Sequence, residues 1–70
     1  MNVAGRLESV YEDQWGYIRG IIGGEDFYIP PYEYSDEYRR MRKQVWRLVG
    51  RIVYAQVETN GKLVDIRQKN

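Results

Sequence analysis

The sequence predicts a mainly β domain: a small five-stranded Greek-key barrel with one helix between its third and fourth strands. Three observations carry that expectation. Residues 14–19 and 26–30 alternate aromatic and aliphatic side chains with period two, as half-buried strands do. Turn signals punctuate the chain at Gly23-Gly24-Glu25, Pro30-Pro31 and Thr59-Asn60-Gly61, the last holding the Asn-Gly pair that favours tight hairpins. Between them, Tyr38, Met41, Val45 and Leu48 recur at helical spacing.

Taken in order, Val3 to Tyr11 reads as the first strand, with Leu7 and Val10 as core residues. Glu12-Asp13-Gln14 reads as a turn and Trp15 to Ile22 as the second strand. Successive strand residues point to opposite faces. Trp15, Tyr17 and Arg19 therefore share one face, and Gly16, Ile18 and Gly20 the other. In the third strand, Asp26 to Pro30, Phe27 and Ile29 point inward while Tyr28 and Pro30 point out. Pro30-Pro31 ends it, because proline has no N–H for a ladder, and Tyr32 to Tyr34 is a linker. Ser35 is placed as an N-cap, with Asp36 and Glu37 in the first turn of a helix over 36–46. Gly50 to Glu58 is the fourth strand, with Val53, Ala55 and Val57 inward and Ile52, Tyr54 and Gln56 outward. Lys62 to Arg67 is the fifth, where Leu63 or Val64, together with Ile66, joins the core.

Seventy residues make one domain, 1–70, small enough for its core to be marginal. No cysteine means no disulfide and no thiolate metal site, which suits a reducing compartment, and the cytoplasm is the expected location. No histidine removes the commonest general base and metal ligand. The adjacent carboxylates Glu12-Asp13, Glu25-Asp26 and Asp36-Glu37 point apart in strands and turns, so none reads as an acid–base dyad. No phosphate-cradling glycine loop is present, and no apolar run approaches the roughly 18–20 residues of a membrane span. The expectation is a chain that is not an enzyme and uses no cofactor, metal, membrane or small-molecule substrate. The net charge of +1 hides an asymmetry: residues 1–37 carry two bases against eight acids, and residues 38–70 nine bases against two acids.

Two groups of residues point to binding. If Ile18, Phe27 and Ile29 fill the core, then Trp15, Tyr17 and Tyr28 stand outside it, with Gly16 leaving flat space between two rings. Exposed aromatics on a sheet suggest a stacking platform. Arg39, Arg40, Arg42, Lys43, Arg47 and Arg51 place six bases in thirteen residues with no acid among them. They read either as a phosphate-tracking rail or as a solvated face paired with the acidic half. Tyr32, Tyr34, Tyr38, Trp46 and Tyr54 are open between core, rim and ligand contact.

The stretch Asp13-Gln14-Trp15-Gly16-Tyr17-Ile18 resembles the first ribonucleoprotein motif of cold-shock domains, Lys-Gly-Phe-Gly-Phe-Ile. Asp26-Phe27-Tyr28-Ile29-Pro30-Pro31 is similar to the second, Asp-Val-Phe-Val-His-Phe. Gly5-Arg6-Leu7 and Val49-Gly50-Arg51-Ile52-Val53 resemble flanking elements of that family. Gly5-Arg6-Leu7-Glu8 also resembles the opening of the RNA-binding domain of termination factor Rho. The resemblance spans nearly the whole chain outside 33–48. It implies an OB-fold barrel that binds single-stranded RNA or DNA, with Trp15, Tyr17 and Tyr28 stacking bases. It places Pro30 where the family has a histidine, Asp13 at its lysine and Ser9 near an exposed tryptophan. Arg19 and Arg51 would contact phosphates, helped by Arg39, Arg40, Arg42 and Lys43. The rival expectation is a protein-interaction module of the same fold, with a partner in transcription or replication, because Glu12 and Asp13 would repel a phosphate backbone.

Overall fold

An eleven-residue strand, β1 (Asn2–Glu12), belongs to two antiparallel ladders at once. Its first half pairs with β4 (Ile52–Val57), Asn2 opposite Gln56 through to Arg6 opposite Ile52. Its second half pairs with β2 (Ile18–Ile22), Leu7 opposite Ile22 through to Glu12 opposite Ile18. Outside these, β3 (Glu25–Ile29) pairs with β2 and β5 (Leu63–Gln68) with β4. The result is one five-stranded antiparallel sheet of order β3-β2-β1-β4-β5, with a helix, α1 (Asp36–Arg47), between β3 and β4 in sequence. The computed structural model describes residues 1–31 and 35–69, so the linker expected at 32–34 lies outside the described residues.

Two close backbone approaches let the sheet curl. A Cβ on Gly5 would stand 2.8 Å from the Cα of Gly23, so only glycine lets the β2–β3 turn close onto β1. The register slips between Leu7 and Ser9, a bulge that bends β1 where it changes partner. In the other ladder Gly20 faces Phe27, and a Cβ there would stand 2.6 Å from the phenyl ring. The ring therefore covers a strand position that has no side chain of its own.

The strand parity read from the sequence holds. Leu7, Ile18, Phe27, Ile29, Val53, Ala55 and Val57 are all buried in one core, joined by Ile22, Leu63 and Ile66. Leu63, not Val64, is the core residue that opens β5; Val64 is exposed. Met41, Val45 and Leu48 bring α1 onto the same core, and Val10 and Tyr38 pack at its edge. Each fully buried aliphatic or aromatic side chain contributes roughly 1.5–3 kcal/mol. Ser35 caps α1 as expected, its Oγ accepting from the Tyr38 N–H at 3.2 Å, with Asp36 and Glu37 at the positive end of the helix dipole. The Asn60 turn also forms, Asn60 Oδ1 accepting from the Lys62 N–H at 3.0 Å.

Three expectations change. The two edge strands, β3 and β5, share no ladder; they meet in one parallel bridge between Tyr28 and Lys62, with the Tyr28 N–H donating to Gly61 O at 2.9 Å. The sheet is thus not closed by continuous pairing. The second strand starts at Ile18, three residues later than its pattern indicated, because residues 14–16 are held in a turn. Pro30 is not on an outer face: it is fully buried past the end of β3.

Phe27→Ala should destabilise the domain by about 3–5 kcal/mol, because it empties the space over Gly20 as well as removing core surface. Ser35→Ala should lose about 0.5–2 kcal/mol through the missing cap. Urea unfolding followed by circular dichroism measures both, and an unchanged midpoint for Phe27→Ala would contradict this core.

Candidate functional site

The turn ahead of β2 is built by one carboxylate. Asp13 Oδ1 accepts the backbone N–H of Trp15 at 3.0 Å and of Tyr17 at 2.9 Å. The Asp13 N–H donates to Tyr17 O at 2.9 Å, and its carbonyl accepts from Gly16 at 3.0 Å. Aspartate side chains bond the backbone a few residues on in this way and so compete with a ladder. Gly16 takes the positive φ of 86° that such a turn requires. This is why Trp15 and Tyr17 are not successive outward residues of one strand. Gly16 also leaves no open slot for a base: a Cβ there would stand 3.0 Å from Pro31 Cβ.

The other Asp13 oxygen, Oδ2, holds Arg19 Nε at 2.9 Å. Partial desolvation alone would raise the Asp13 carboxyl. The hydrogen bonds from Arg19, Tyr17 and Trp15, with the attraction of the guanidinium, outweigh it and hold the group below its ordinary value. The same bond raises Arg19. Asp13, expected at the family's lysine position to repel phosphate, is thus neutralised within the fold.

Register then assembles a surface on the outer side of β1–β2–β3. Tyr11 pairs with Arg19, and Arg19 with Tyr28, so the three form one cross-strand row. Tyr17 lies next to it: its ring centroid is 5.9 Å from that of Tyr28 at a tilt of 53°, and the Arg19 guanidinium is 5.1 Å from the Tyr17 centroid. A groove of ≈ 310 Å³ beside the row is lined by Ser9, Tyr11, Arg19, Ile21 and Asp26 among others. Trp15 stands in the turn at 68% exposure and, among the described residues, makes no ring contact.

The structure brings Tyr17, Arg19 and Tyr28 together as expected and adds Tyr11, which sequence reasoning missed. The signal was available: Tyr11 shares its parity with Ser9, two residues away on the outward side of β1. Pro30 drops out; its carbonyl instead accepts from Arg42 Nη1 at 3.3 Å. The basic residues of α1 do not form a single rail, since neighbours on a helix are about 100° apart. Arg42 turns toward β1, with its Nη2 3.7 Å from Glu12. Arg40 lines a different groove, of ≈ 330 Å³, with Val64, Asp65 and Ile66 of β5. Arg39 and Lys43 are exposed between these directions, and Arg51 is exposed ahead of β4. Tyr32 and Tyr34 lie outside the described residues.

Among the described residues, no group of three or more acidic side chains is placed to hold a metal ion, and no helix is long and apolar enough to cross a membrane. No protein-family model matches the chain, and no curated protein or solved structure matches it significantly.

The lowered Asp13 has a consequence in acid. A carboxyl held lower in the folded state than in the unfolded chain stabilises fully above its ordinary value near pH ~4. That contribution declines as the pH falls through the folded value. With Trp15 as the single indole in Trp46→Phe, its emission should shift below about pH 4 as the turn loosens. Asp13→Asn keeps an Oδ1 acceptor but removes the charge, and should abolish that acid transition; persistence of the transition would show that another group controls the turn.

Proposed function

We propose that this chain binds single-stranded RNA or DNA, as a cold-shock-like OB-fold domain acting in the cytoplasm. The observation that carries the reading is the row Tyr11–Arg19–Tyr28 with Tyr17 against Tyr28, which puts three rings and a cation on one outer face of three adjacent strands. Each ring offers a flat surface on which a base can stack whatever its sequence, and the Arg19 guanidinium, its charge engaged by Asp13, offers a cation–π partner. The barrel is supported by the strand order, by the position of α1 between β3 and β4, and by the bridge that brings β3 to the start of β5. On this reading the β1–β2 turn and the β4–β5 turn flank the stacking face. The sequence likeness to cold-shock domains points the same way.

One observation favours a protein partner instead. Trp15 is the most exposed large hydrophobic side chain among the described residues, and Glu12 is exposed three positions before it. An indole beside a carboxylate suits a basic, aromatic-poor protein surface better than a phosphate chain.

Anisotropy of labelled single strands of about 6–10 bases separates the two readings. Tyr17→Ala and Tyr28→Ala should each weaken binding by about 1–3 kcal/mol across unrelated sequences, and Tyr11→Ala should act in the same direction. Duplex of equal length should bind worse, since paired bases hide their faces. Absence of binding at low salt, or indifference to both tyrosine substitutions, would leave the protein-partner reading in its place.

A further inference from the structure

The opposite ladder carries a second aromatic face, with a different charge. Register arranges its outward side chains in three rows. Arg6, Ile52 and Lys69 form the first: Arg6 pairs with Ile52, and the Lys69 N–H donates to Ile52 O at 2.9 Å. Ala4, Tyr54 and Arg67 form the second, and Asn2, Gln56 and Asp65 the third. All nine are exposed except for their shared backbone floor. The Arg67 guanidinium is 5.8 Å and the Lys69 ammonium 5.5 Å from the Tyr54 ring centroid. Arg6 is held in place by Nη1 donating to Gly50 O at 2.9 Å. Among the described residues, no carboxylate pairs with Arg6, Arg67 or Lys69. Because Ala4 is small, the middle row is hollow beside Tyr54, and a groove of ≈ 420 Å³ runs over Asn2, Ala4, Tyr54, Gln56, Asp65 and Arg67.

We infer that this outer face of β1–β4–β5 is a second binding site for single-stranded nucleic acid, distinct from the Tyr17–Tyr28 face. It shares a ligand class with the reading above but none of its residues. The side chains of the face match the parts of a nucleotide. Arg6, Lys69 and Arg67 face a phosphate backbone, Tyr54 faces a base, and Asn2, Gln56 and Asp65 present donors and acceptors to that base's edge. The match is by charge: three cations without acidic partners among the described residues complement a polyanion, and counterion release then drives association. A lipid surface fits less well, because Ile52 and Tyr54 are the only large apolar side chains on the face and each is less than half exposed.

The test uses the full chain and a labelled single strand of about 20 bases, long enough to reach both faces. Tyr54→Ala and the double variant Arg67→Ala/Lys69→Ala should each weaken binding about tenfold, while Tyr54→Phe keeps wild-type affinity. The double variant should also flatten the dependence of log affinity on log salt by about 1.4, two phosphate contacts at ~0.7 each. All three positions are exposed, and a thermal melt of each variant checks that it folds. Unchanged affinity and salt slope in Arg67→Ala/Lys69→Ala, with binding abolished by Tyr17→Ala/Tyr28→Ala, would overturn this inference and leave the first face standing. The converse would support this face and remove the first. Loss on Arg67→Ala/Lys69→Ala with no effect of Tyr54→Ala would overturn it in favour of a partner recognised by charge alone, such as an acidic peptide.

Discussion

The structure depends on how β1 changes partner. At Leu7 the backbone is committed on both sides: its N–H donates to Arg51 O at 2.9 Å and its carbonyl accepts from Gly50 at 2.8 Å, while its Cα is in register with Ile22. One residue earlier, Arg6 O accepts from the Gly23 N–H at 3.0 Å, an ordinary ladder distance. Gly5 makes the crossing possible, since any Cβ there would strike the backbone of Gly23. Leu7 itself is fully buried where the two ladders converge. The bulge in β1 lets one five-stranded sheet curl over a core that α1 completes.

The same bend separates two outer surfaces that draw on halves of the chain with different charge. The acid-rich first half of the chain supplies β1, β2 and β3, and the base-rich second half supplies α1, β4 and β5. Among the described residues, Arg19–Asp13 is an ion pair within the first half, and Arg42–Glu12, at 3.7 Å and partly exposed, joins the two halves. Because the first half of β1 pairs with β4, Arg6 is delivered to the basic side, beside Arg67 and Lys69.

Most of the core was legible because it depends only on parity and period. Ile18, Phe27, Ile29, Val53, Ala55 and Val57 alternate with outward residues, and a strand obeys that alternation whatever its partner. The helix was legible for a similar reason, with Ser35 at its cap and Met41 and Val45 a turn apart. The candidate site was less so, because it depends on competition and register. Asp13 could be read as a turn residue, yet nothing local shows that its two oxygens would take Trp15, Tyr17 and Arg19 together and pull Trp15 off the strand. Pro30 followed outward parity on paper, but the strand stops at Ile29, and a residue past the end of a ladder no longer alternates. Tyr11 and Tyr54 acquire their neighbours only when β1 is aligned with β2 and β4, and a shift of one residue would have sent each to the interior.

The two faces also differ in what would hold a nucleic acid to them. On the first, Arg19 is already bonded to Asp13, so a phosphate must either displace that carboxylate or approach a guanidinium whose charge is largely compensated. Little counterion release is available there, and attraction rests on stacking against Tyr17 and Tyr28. On the second, a single ring is offered, but Arg67 and Lys69 flank it without acidic partners among the described residues. Attraction there rests on charge, with stacking on Tyr54 selecting bases over other polyanions. A strand long enough to span both faces would meet a salt-insensitive grip at one side of the bent β1 and a salt-sensitive one at the other. Asp13 would then decide the balance: it fixes the β1–β2 turn that positions Tyr17, and by holding Arg19 it would leave phosphate contacts to the far face.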